Sequence, residues 1–453
     1  MTDKNTSTYK NETQFSREEK PVLALILLCY FMIILDSSIV FTAIPVMKSS
    51  LGLDNTHMAW IQDAYTLTFG GTLLLGAQLG DVLGRTRVFA TGLALFGLAS
   101  FAVGSASTPA ILITARAVQG AGAAIVAPTS LTLITAVFTS VSKRHRATAA
   151  YGTMAGIGSS AGMLIGGLVA TFLSWRFGFW INVPITVVAL VLARRYLPDF
   201  PSRPGRFDIV GAVVTTMAMF ALTWALVENE WWPAVVGVVL LLAVVWWERR
   251  VEAPIIPEHL WRHRVRGTIL LARMCFAAAL FGMFFFVTQY FELSLGYSAL
   301  GAGVLFLINC VPQGIAGLQV RRIIRRWNLA VVLLVGLMSI CVGLFLIGIG
   351  MRSTELAVLL VGMALTGVGQ GLGFGPITSL GVWNTTAEEA GAASGLVNTA
   401  HQMGATIGVA ALTALFRLTP DYGTMLLAAA GTMLFCLVLA VFATTEIRHD
   451  SHV

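Results

Sequence analysis

Fourteen apolar runs, each close to the length of a membrane-spanning helix, follow one another along this chain. A run of about 20 residues crosses a hydrocarbon layer of about 30 Å as a helix. Backbone N–H and C=O groups inside lipid must be paired, so only helices and closed barrels span a membrane. The runs are long and do not alternate between apolar and polar residues, which favours helices over barrel strands. The sequence therefore predicts an all-α integral membrane protein.

The distribution of Lys and Arg between these runs predicts their orientation. The spans lie near 22–46, 59–80, 87–106, 109–133, 147–171, 176–195, 207–227, 232–247, 268–290, 299–319, 328–349, 354–378, 395–417 and 421–443. Basic residues concentrate in alternate loops, for example at 85–87, 143–146 and 321–326. Cytoplasmic loops carry this excess of positive charge. We therefore expect fourteen spans with both termini in the cytoplasm.

A weak internal repeat predicts the domain organisation. Residues 77–87 follow the second span and residues 317–326 follow the tenth, and both are small-residue helix ends that lead into a basic loop. Two related six-helix halves with an inserted helix pair would account for fourteen spans. The predicted boundaries are a disordered N-terminal tail at 1–21, a first half at 22–200, the inserted pair at 201–252, a second half at 253–445 and a tail at 446–453.

Composition argues against several other classes of protein. Charged residues make up 11% of the chain, against roughly 25% in soluble proteins. The net charge of +7 comes from short basic loops, so nucleic acid is not an expected partner. No Lys follows a Gly, which excludes a GxxxxGK[ST] phosphate-binding loop. We expect no metal site, no cofactor and no enzymatic activity, and an ion gradient as the energy source.

Charged residues inside the spans are the strongest functional signal, because they are costly in lipid and mark transport pathways. Asp36 lies in the first span, Asp63 early in the second and Arg116 in the fourth. A carboxyl group that faces an arginine away from water can bind and release a proton as its access changes. Asp36 is thus predicted to carry protons or bind a cationic substrate, or to form a structural ion pair with Arg116. Arg273 is expected to extend to the inner surface.

Several short motifs in these spans resemble those of one family. They include Leu35–Pro45, Trp60–Tyr65, Asp81–Arg87, Arg116–Gly122, Gly158–Gly167, Trp175–Pro184 and Gly391–Gly404. Together they resemble the major facilitator superfamily, in particular its fourteen-helix branch of drug:proton antiporters. The resemblance covers about residues 22–445 and implies the major facilitator fold.

The chain departs from the family pattern at a few positions. Ala77 stands where the cytoplasmic gating motif usually has Gly, and Val82 where it has a basic residue. Met163 stands in place of a proline in the fifth span, and His401 replaces a common Arg. The gating motif therefore has fewer charged residues than usual. Without the proline, a bend in the fifth span gives less support for export as the direction of transport.

The resemblance implies three sets of functional residues. Proton coupling is expected at Asp36, Asp63 and Arg116. The substrate cavity is expected to include Phe31, Tyr65, Gln119, Asn182, Gln289, Asn309, Gln313, Trp383, Asn398, His401 and Gln402. Gating is expected to involve Gly80, Asp81, Gly84, Arg85, Arg87, Gly158, Gly162, Gly166 and Gly167.

The predicted function is proton-coupled export of small amphipathic or cationic drugs by alternating access. The protein is expected to work as a monomer among the lipids of a bacterial cytoplasmic membrane. Two alternatives stay open: a dedicated exporter of a native metabolite such as an antibiotic, peptide or siderophore, and a proton-coupled importer. A membrane sensor would need a long soluble signalling domain, and an intramembrane enzyme would need a nucleophile or a metal cluster. The sequence favours neither of these two classes of protein.

Overall fold

A computed structural model describes residues 15–138, 140–198, 208–251, 263–385 and 390–450. In these ranges the chain forms α-helices joined by short turns, together with a π-helical turn at Tyr290–Ser294. The helices are α1 (Glu19–Leu51), α2 (Asn55–Leu83), α3 (Arg85–Gly104), α4 (Pro109–Val137), α5 (Val141–Phe172), α6 (Trp175–Trp180), α7 (Asn182–Tyr196), α8 (Ile209–Glu228), α9 (Trp231–Glu248), α10 (Arg264–Gln289), α11 (Ala299–Trp327), α12 (Leu329–Ser353), α13 (Leu356–Gly381), α14 (Ala390–Leu418) and α15 (Tyr422–Asp450).

Every predicted span overlaps one of these helices, and the all-α membrane architecture is confirmed. Twelve helical segments of the described chain are long and apolar enough to cross a membrane, with α6 and α7 forming one of them. The helices α2 and α14 have 29 residues each, which is long enough to span, but they are not among the twelve. Both carry polar residues along their length, and the count of fourteen spans stays a prediction.

Polar residues at helix starts explain several of the boundaries. Asp54 accepts a hydrogen bond from the backbone N–H of His57 at 2.7 Å, so α2 begins one turn earlier than predicted. Asp208 caps α8 in the same way by accepting from the N–H of Gly211 at 2.8 Å. It also accepts from the indole nitrogen of Trp247 at 3.0 Å, which ties α9 to α8.

The sixth predicted span consists of two helices, whereas the sequence predicts one continuous helix over 176–195. The chain forms α6, passes through a turn at Ile181, and continues as α7. Pro184 lies in the first turn of α7 and has no N–H to donate to the carbonyl group of Trp180. The break places Asn182 at the start of α7, inside the protein, where its side chain is fully buried.

The helices assemble into two groups that differ in what they contact. Helices α1–α7 pack against one another and are called the N-terminal bundle; α10–α15 do the same and are called the C-terminal bundle. Helix α8 packs on α2 and α14, and α9 packs mainly on α8. Helices α2 and α14 pack against each other and join the two bundles, with the hydroxyl groups of Thr66 and Thr406 2.7 Å apart.

Helices α5 and α11, one from each bundle, touch near one face of the membrane region and separate toward the other. We call the face where α1 begins the terminal face, and the opposite one the distal face. Near the distal face, a Cβ added to Gly167 of α5 would lie 2.5 Å from the carbonyl oxygen of Ala299 in α11. About three to four turns closer to the terminal face, a Cβ on Gly156 or Gly314 would meet no atom within 4 Å. The cleft between α5 and α11 therefore opens toward the terminal face, while α2 and α14 stay packed, because a Cβ on Gly395 would still meet the side chain of Leu74.

Candidate functional site

A buried carboxylate lies at the centre of the N-terminal bundle, and three side chains donate hydrogen bonds to it. The side chain of Asp36 is fully buried. One oxygen accepts from Nη1 of Arg116 at 2.7 Å, which makes a buried ion pair. The other oxygen accepts from Nε2 of Gln119 and from Nδ2 of Asn182, each at 2.7 Å. The structure thus brings together two residues predicted for coupling and two predicted for the cavity.

The guanidinium group of Arg116 is held on several sides by other helices. Its Nη1 also donates to Oε1 of Gln119 at 2.7 Å, and its Nε donates to the backbone carbonyl of Ile61 in α2 at 3.2 Å. The Tyr65 ring centroid lies 4.3 Å from the guanidinium carbon, within cation–π range. Nη2 of Arg116 has no hydrogen-bond partner among the described residues. Arg116 therefore links α1, α2 and α4.

Helix geometry explains why this network forms. Arg116 and Gln119 are three residues apart on α4, so they share a face. Asn182 reaches Asp36 because the helix break places it at the start of α7. Ser100 of α3, which the sequence reading missed, accepts from Nε2 of Gln119 at 2.8 Å. A buried serine in an apolar helix is a weak signal by itself, because serine also bonds within its own helix, as Ser100 does with the carbonyl of Phe96.

Asp63, the third predicted coupling residue, lies apart from this network. It is fully buried, and neither of its carboxyl oxygens has a hydrogen-bond partner among the described residues. Asp63 sits about two turns into α2, deeper than predicted, because α2 begins at Asn55. It lies one turn before Thr66, the residue through which α2 contacts the C-terminal bundle. Its position is next to the contact between the two bundles.

The residues predicted for the cavity divide by exposure. Buried ones are Tyr65, Gln119, Asn182, Gln289, Asn309 and Gln402, and half-buried ones are Phe31, Gln313, Trp383, Asn398 and His401. Several of the buried set already have partners: Asn309 donates to the carbonyl of Met363 at 3.0 Å, and Gln289 donates to Phe285 of its own helix at 3.2 Å. The half-buried set contains the side chains with surface that a ligand could reach.

The predicted gating glycines of α5 lie against α1. A Cβ on Gly162 would be 2.6 Å from Cβ of Ser38, and one on Gly166 would be 2.3 Å from Oγ1 of Thr42. Gly158 lies on the same face, where the nearest atom would be at 3.0 Å. These three glycines allow α5 to approach the helix that carries Asp36, as small residues do in membranes. Gly167 faces α11 instead.

The predicted gate between α2 and α3 is described in part. Gly84 has φ of 95°, a conformation that favours glycine, and it ends α2 and starts α3. Arg85 opens α3 and is half-buried, Arg87 is exposed, and a Cβ on Gly80 would meet its nearest atom at 3.7 Å. The side chain of Asp81 lies outside the described residues.

Arg273 does not extend to the membrane surface as the sequence reading expected. It is 1% exposed, and its guanidinium carbon lies 4.1 Å from the centroid of the Phe374 ring. Neither Nε nor Nη1 has a hydrogen-bond partner among the described residues. The prediction was wrong because the side chain turns toward α13 rather than along α10 to the surface.

Comparison with known proteins identifies the family. The sequence profile of the Major Facilitator Superfamily matches residues 26–409. The chain belongs to this superfamily. A solved structure described as a POT family transporter in complex with thioalcohol conjugated peptide aligns with a TM-score of 0.73 and 13% identity, covering 93% of this chain and 96% of that chain. The nucleoside transporter NupG aligns with a TM-score of 0.67 and 13% identity, covering 94% and 99%. At such identity the likeness shows the fold alone.

Several relatives with higher identity are exporters or resistance proteins by name. Puromycin resistance protein pur8 of Streptomyces alboniger is 36% identical over 408 residues, covering 86% of this chain and 80% of that protein. Cephamycin export protein CmcT of Amycolatopsis lactamdurans is 36% identical over 420 residues, covering 88% and 85%. Multidrug efflux pump LfrA of Mycolicibacterium smegmatis is 29% identical over 403 residues, covering 87% and 80%.

Proposed function

We propose that this protein exports small amphipathic drugs or antibiotics by alternating access, in exchange for protons. The observation that carries the proposal is the buried Asp36–Arg116 pair at the centre of a major facilitator fold. The names of the relatives support export as the direction. The pair supports proton coupling, because protonation of a buried carboxylate cancels the charge that holds its partner.

The coupling step follows from the contacts of the pair. A proton on Asp36 removes the negative charge that Arg116 faces, and the ion pair between α1 and α4 is lost. Arg116 also donates to the carbonyl of Ile61, so its movement changes the contact of α4 with α2. Helix α2 packs against α14, and the change thereby reaches the contact between the bundles. Asp63, close to that contact, is proposed to pass protons toward Asp36.

The proposed cycle assigns a direction to the cleft. We infer that the terminal face is cytoplasmic, with both termini inside, so the cleft is open to the cytoplasm and ready to accept substrate. Proton entry from outside would follow the change to the outward-open arrangement. One proton moving through 100 mV releases about 2.3 kcal/mol, and a tenfold pH difference adds about 1.4 kcal/mol. Together these would sustain a gradient of roughly a few hundredfold for a neutral substrate.

The remaining parts of the proposal concern organisation. We propose fourteen spans, with α2 and α14 crossing the membrane between the other twelve. The N-terminal and C-terminal bundles would be the two halves that rock, and α8 and α9 the inserted pair. The protein would act as a monomer in a bacterial cytoplasmic membrane, with lipid as its only large partner and without cofactor or catalysis.

A dedicated exporter of one native metabolite is the second candidate. It is favoured by the 36% identity to CmcT, whose name describes export of a single class of antibiotic. The two candidates share the coupling site and differ in the breadth of compounds accepted. A broad panel of drugs separates them, since a dedicated exporter would respond to few or none.

The decisive experiment measures proton movement in energised inverted membrane vesicles. In the wild type, a substrate such as ethidium or puromycin should dissipate the preformed pH gradient. Asp36→Asn should abolish this response, whereas Glu355→Gln, which removes an exposed carboxylate, should leave it intact. A full response from correctly inserted Asp36→Asn would reject Asp36 as the coupling site. Substrate-driven movement of protons in the opposite direction would instead indicate import.

A further inference from the structure

The C-terminal bundle contains a buried arginine that the proposed coupling mechanism does not use. Arg273 lies about 14 Å from the start of α10, by the rise of an α-helix. Its side chain is among the largest that are fully buried in the described chain. A charge at this depth in a membrane protein usually belongs to a binding site or a transport pathway.

Among the residues that the structure describes, no carboxylate pairs with this cation. Within their bounds, α10, α11, α12, α13 and α14 contain no Asp or Glu. In α15, Cys436 donates to the carbonyl of Ala272 beside Arg273, and the acidic residues Glu446 and Asp450 lie at least ten residues further along that helix. In the N-terminal bundle, the carboxylate of Asp36 already faces Arg116 at 2.7 Å. Nε and Nη1 of Arg273 are buried and have no hydrogen-bond partner in the part of the chain that the structure describes. Buried N–H donors without partners are costly, so an acceptor from outside the chain would be favourable here.

Aromatic rings surround the guanidinium group. Its carbon lies 4.1 Å from the ring centroid of Phe374 and 5.4 Å from that of Phe276. The Phe374 ring also contacts the His401 ring, with centroids 5.8 Å apart. Phe374 is 40% exposed, and a Cβ on the next residue, Gly375, would meet no atom within 4 Å. Phe374 therefore covers one side of the buried cation and is itself partly exposed, so rotation of its ring would open a path to the cation.

We propose that Arg273, with Phe374 and His401, binds the anionic group of a transported amphipathic compound. The inference rests on the proposed export function and specifies a substrate class for it. The group would be a carboxylate, sulfonate or phosphate attached to an aromatic or apolar body. The planar guanidinium group suits such oxyanions, and the neighbouring rings suit an aromatic body. The sequence predicts amphipathic or cationic drugs as substrates, whereas this site selects amphipathic compounds with an anionic group.

The test compares a carboxylate with its uncharged analogue. Purified full-length protein in phosphatidylcholine nanodiscs is titrated with radiolabelled naphthalene-2-carboxylate and with naphthalene-2-carboxamide. The wild type should bind the carboxylate at least about tenfold more tightly. Arg273→Gln should weaken carboxylate binding by roughly tenfold to a hundredfold, with little change for the amide. Arg273→Lys should retain part of the preference, and Arg264→Gln, an exposed charge on the same helix, should retain all of it.

The outcomes distinguish failure of the anion site from failure of the proposed export function. Equal binding of the two probes by the wild type, or unchanged carboxylate binding by folded Arg273→Gln, overturns the anion site. If the wild type still moves ethidium or puromycin in that case, export stands and the anion site alone fails. Carboxylate transport into phosphatidylcholine vesicles supports a transported substrate. Displacement of the carboxylate by phosphatidylglycerol, without any carboxylate transport, would assign the site to a lipid headgroup and overturn the proposal.

Discussion

The two bundles each bury an arginine, and the surroundings of the two residues differ in one respect. Arg116 of the N-terminal bundle faces Asp36 at 2.7 Å and is bonded to two further groups. Arg273 of the C-terminal bundle has aromatic rings around it, and no carboxylate in the described part of the chain pairs with it. A buried charge that is paired with an opposite charge can act as an internal switch. A buried charge that has no such partner is available to bind a charged group of a ligand. The comparison agrees with the proposals that the N-terminal bundle couples protons and that the C-terminal bundle recognises the substrate.

The comparison predicts effects of opposite sign when each arginine is removed. The largest effect is expected from Arg116→Met, because it leaves the carboxylate of Asp36 buried without a counter-charge. Breaking a buried pair in this way lowers the free energy of unfolding by roughly 3–5 kcal/mol. Unfolding in mixed micelles with increasing sodium dodecyl sulfate would measure it. The double variant Asp36→Asn/Arg116→Met is the control, and it should be less destabilised than the sum of the two single variants.

Removal of the other arginine should stabilise the protein. Arg273→Met replaces an unpaired buried cation with an apolar side chain of similar length, and the free energy of unfolding should rise by about 1–3 kcal/mol. The same titration measures it. A loss of stability similar to that of Arg116→Met would mean that Arg273 has a partner inside the protein, and the contrast between the bundles would disappear.

The smallest effect compares one asparagine from each bundle. Asn182→Ala removes a hydrogen bond to Asp36 and should lower the free energy of unfolding by about 1–3 kcal/mol, with slower proton-linked transport. Asn398→Ala removes a half-buried side chain of α14 and should change stability by about 0.5 kcal/mol or less. Both are measured by the same titration and by pH-gradient dissipation in vesicles. If the two variants lower the free energy of unfolding equally, the hydrogen bond from Asn182 to Asp36 does not contribute more to stability than a half-buried side chain does.

The functional residues differ in how well the sequence predicted them. The sequence predicts Asp36 and Arg116 as functional residues because charges in apolar runs are rare. Their ion pair is one of the two roles that the sequence predicts for Asp36. Asn182 was named as a cavity residue, but its bond to Asp36 depends on the helix break before Pro184. Ser100 was missed because one hydroxyl in an apolar helix has many local partners. Arg273 was misplaced because its long side chain can point either to the surface or inward, and sequence position does not choose between them.

The sequence by itself determined that this chain is a helical membrane protein, and its short motifs resemble those of the major facilitator superfamily. The helical membrane architecture is predictable because the length of apolar runs and the cost of charge in lipid act locally, on each segment separately. The tertiary structure decided which buried charges have partners and which face of the membrane region the cleft opens toward. Those properties depend on how helices far apart in sequence approach one another, for example α1 on α4 and α5 on α11. Close contacts of small residues set that approach, and no single segment contains the information.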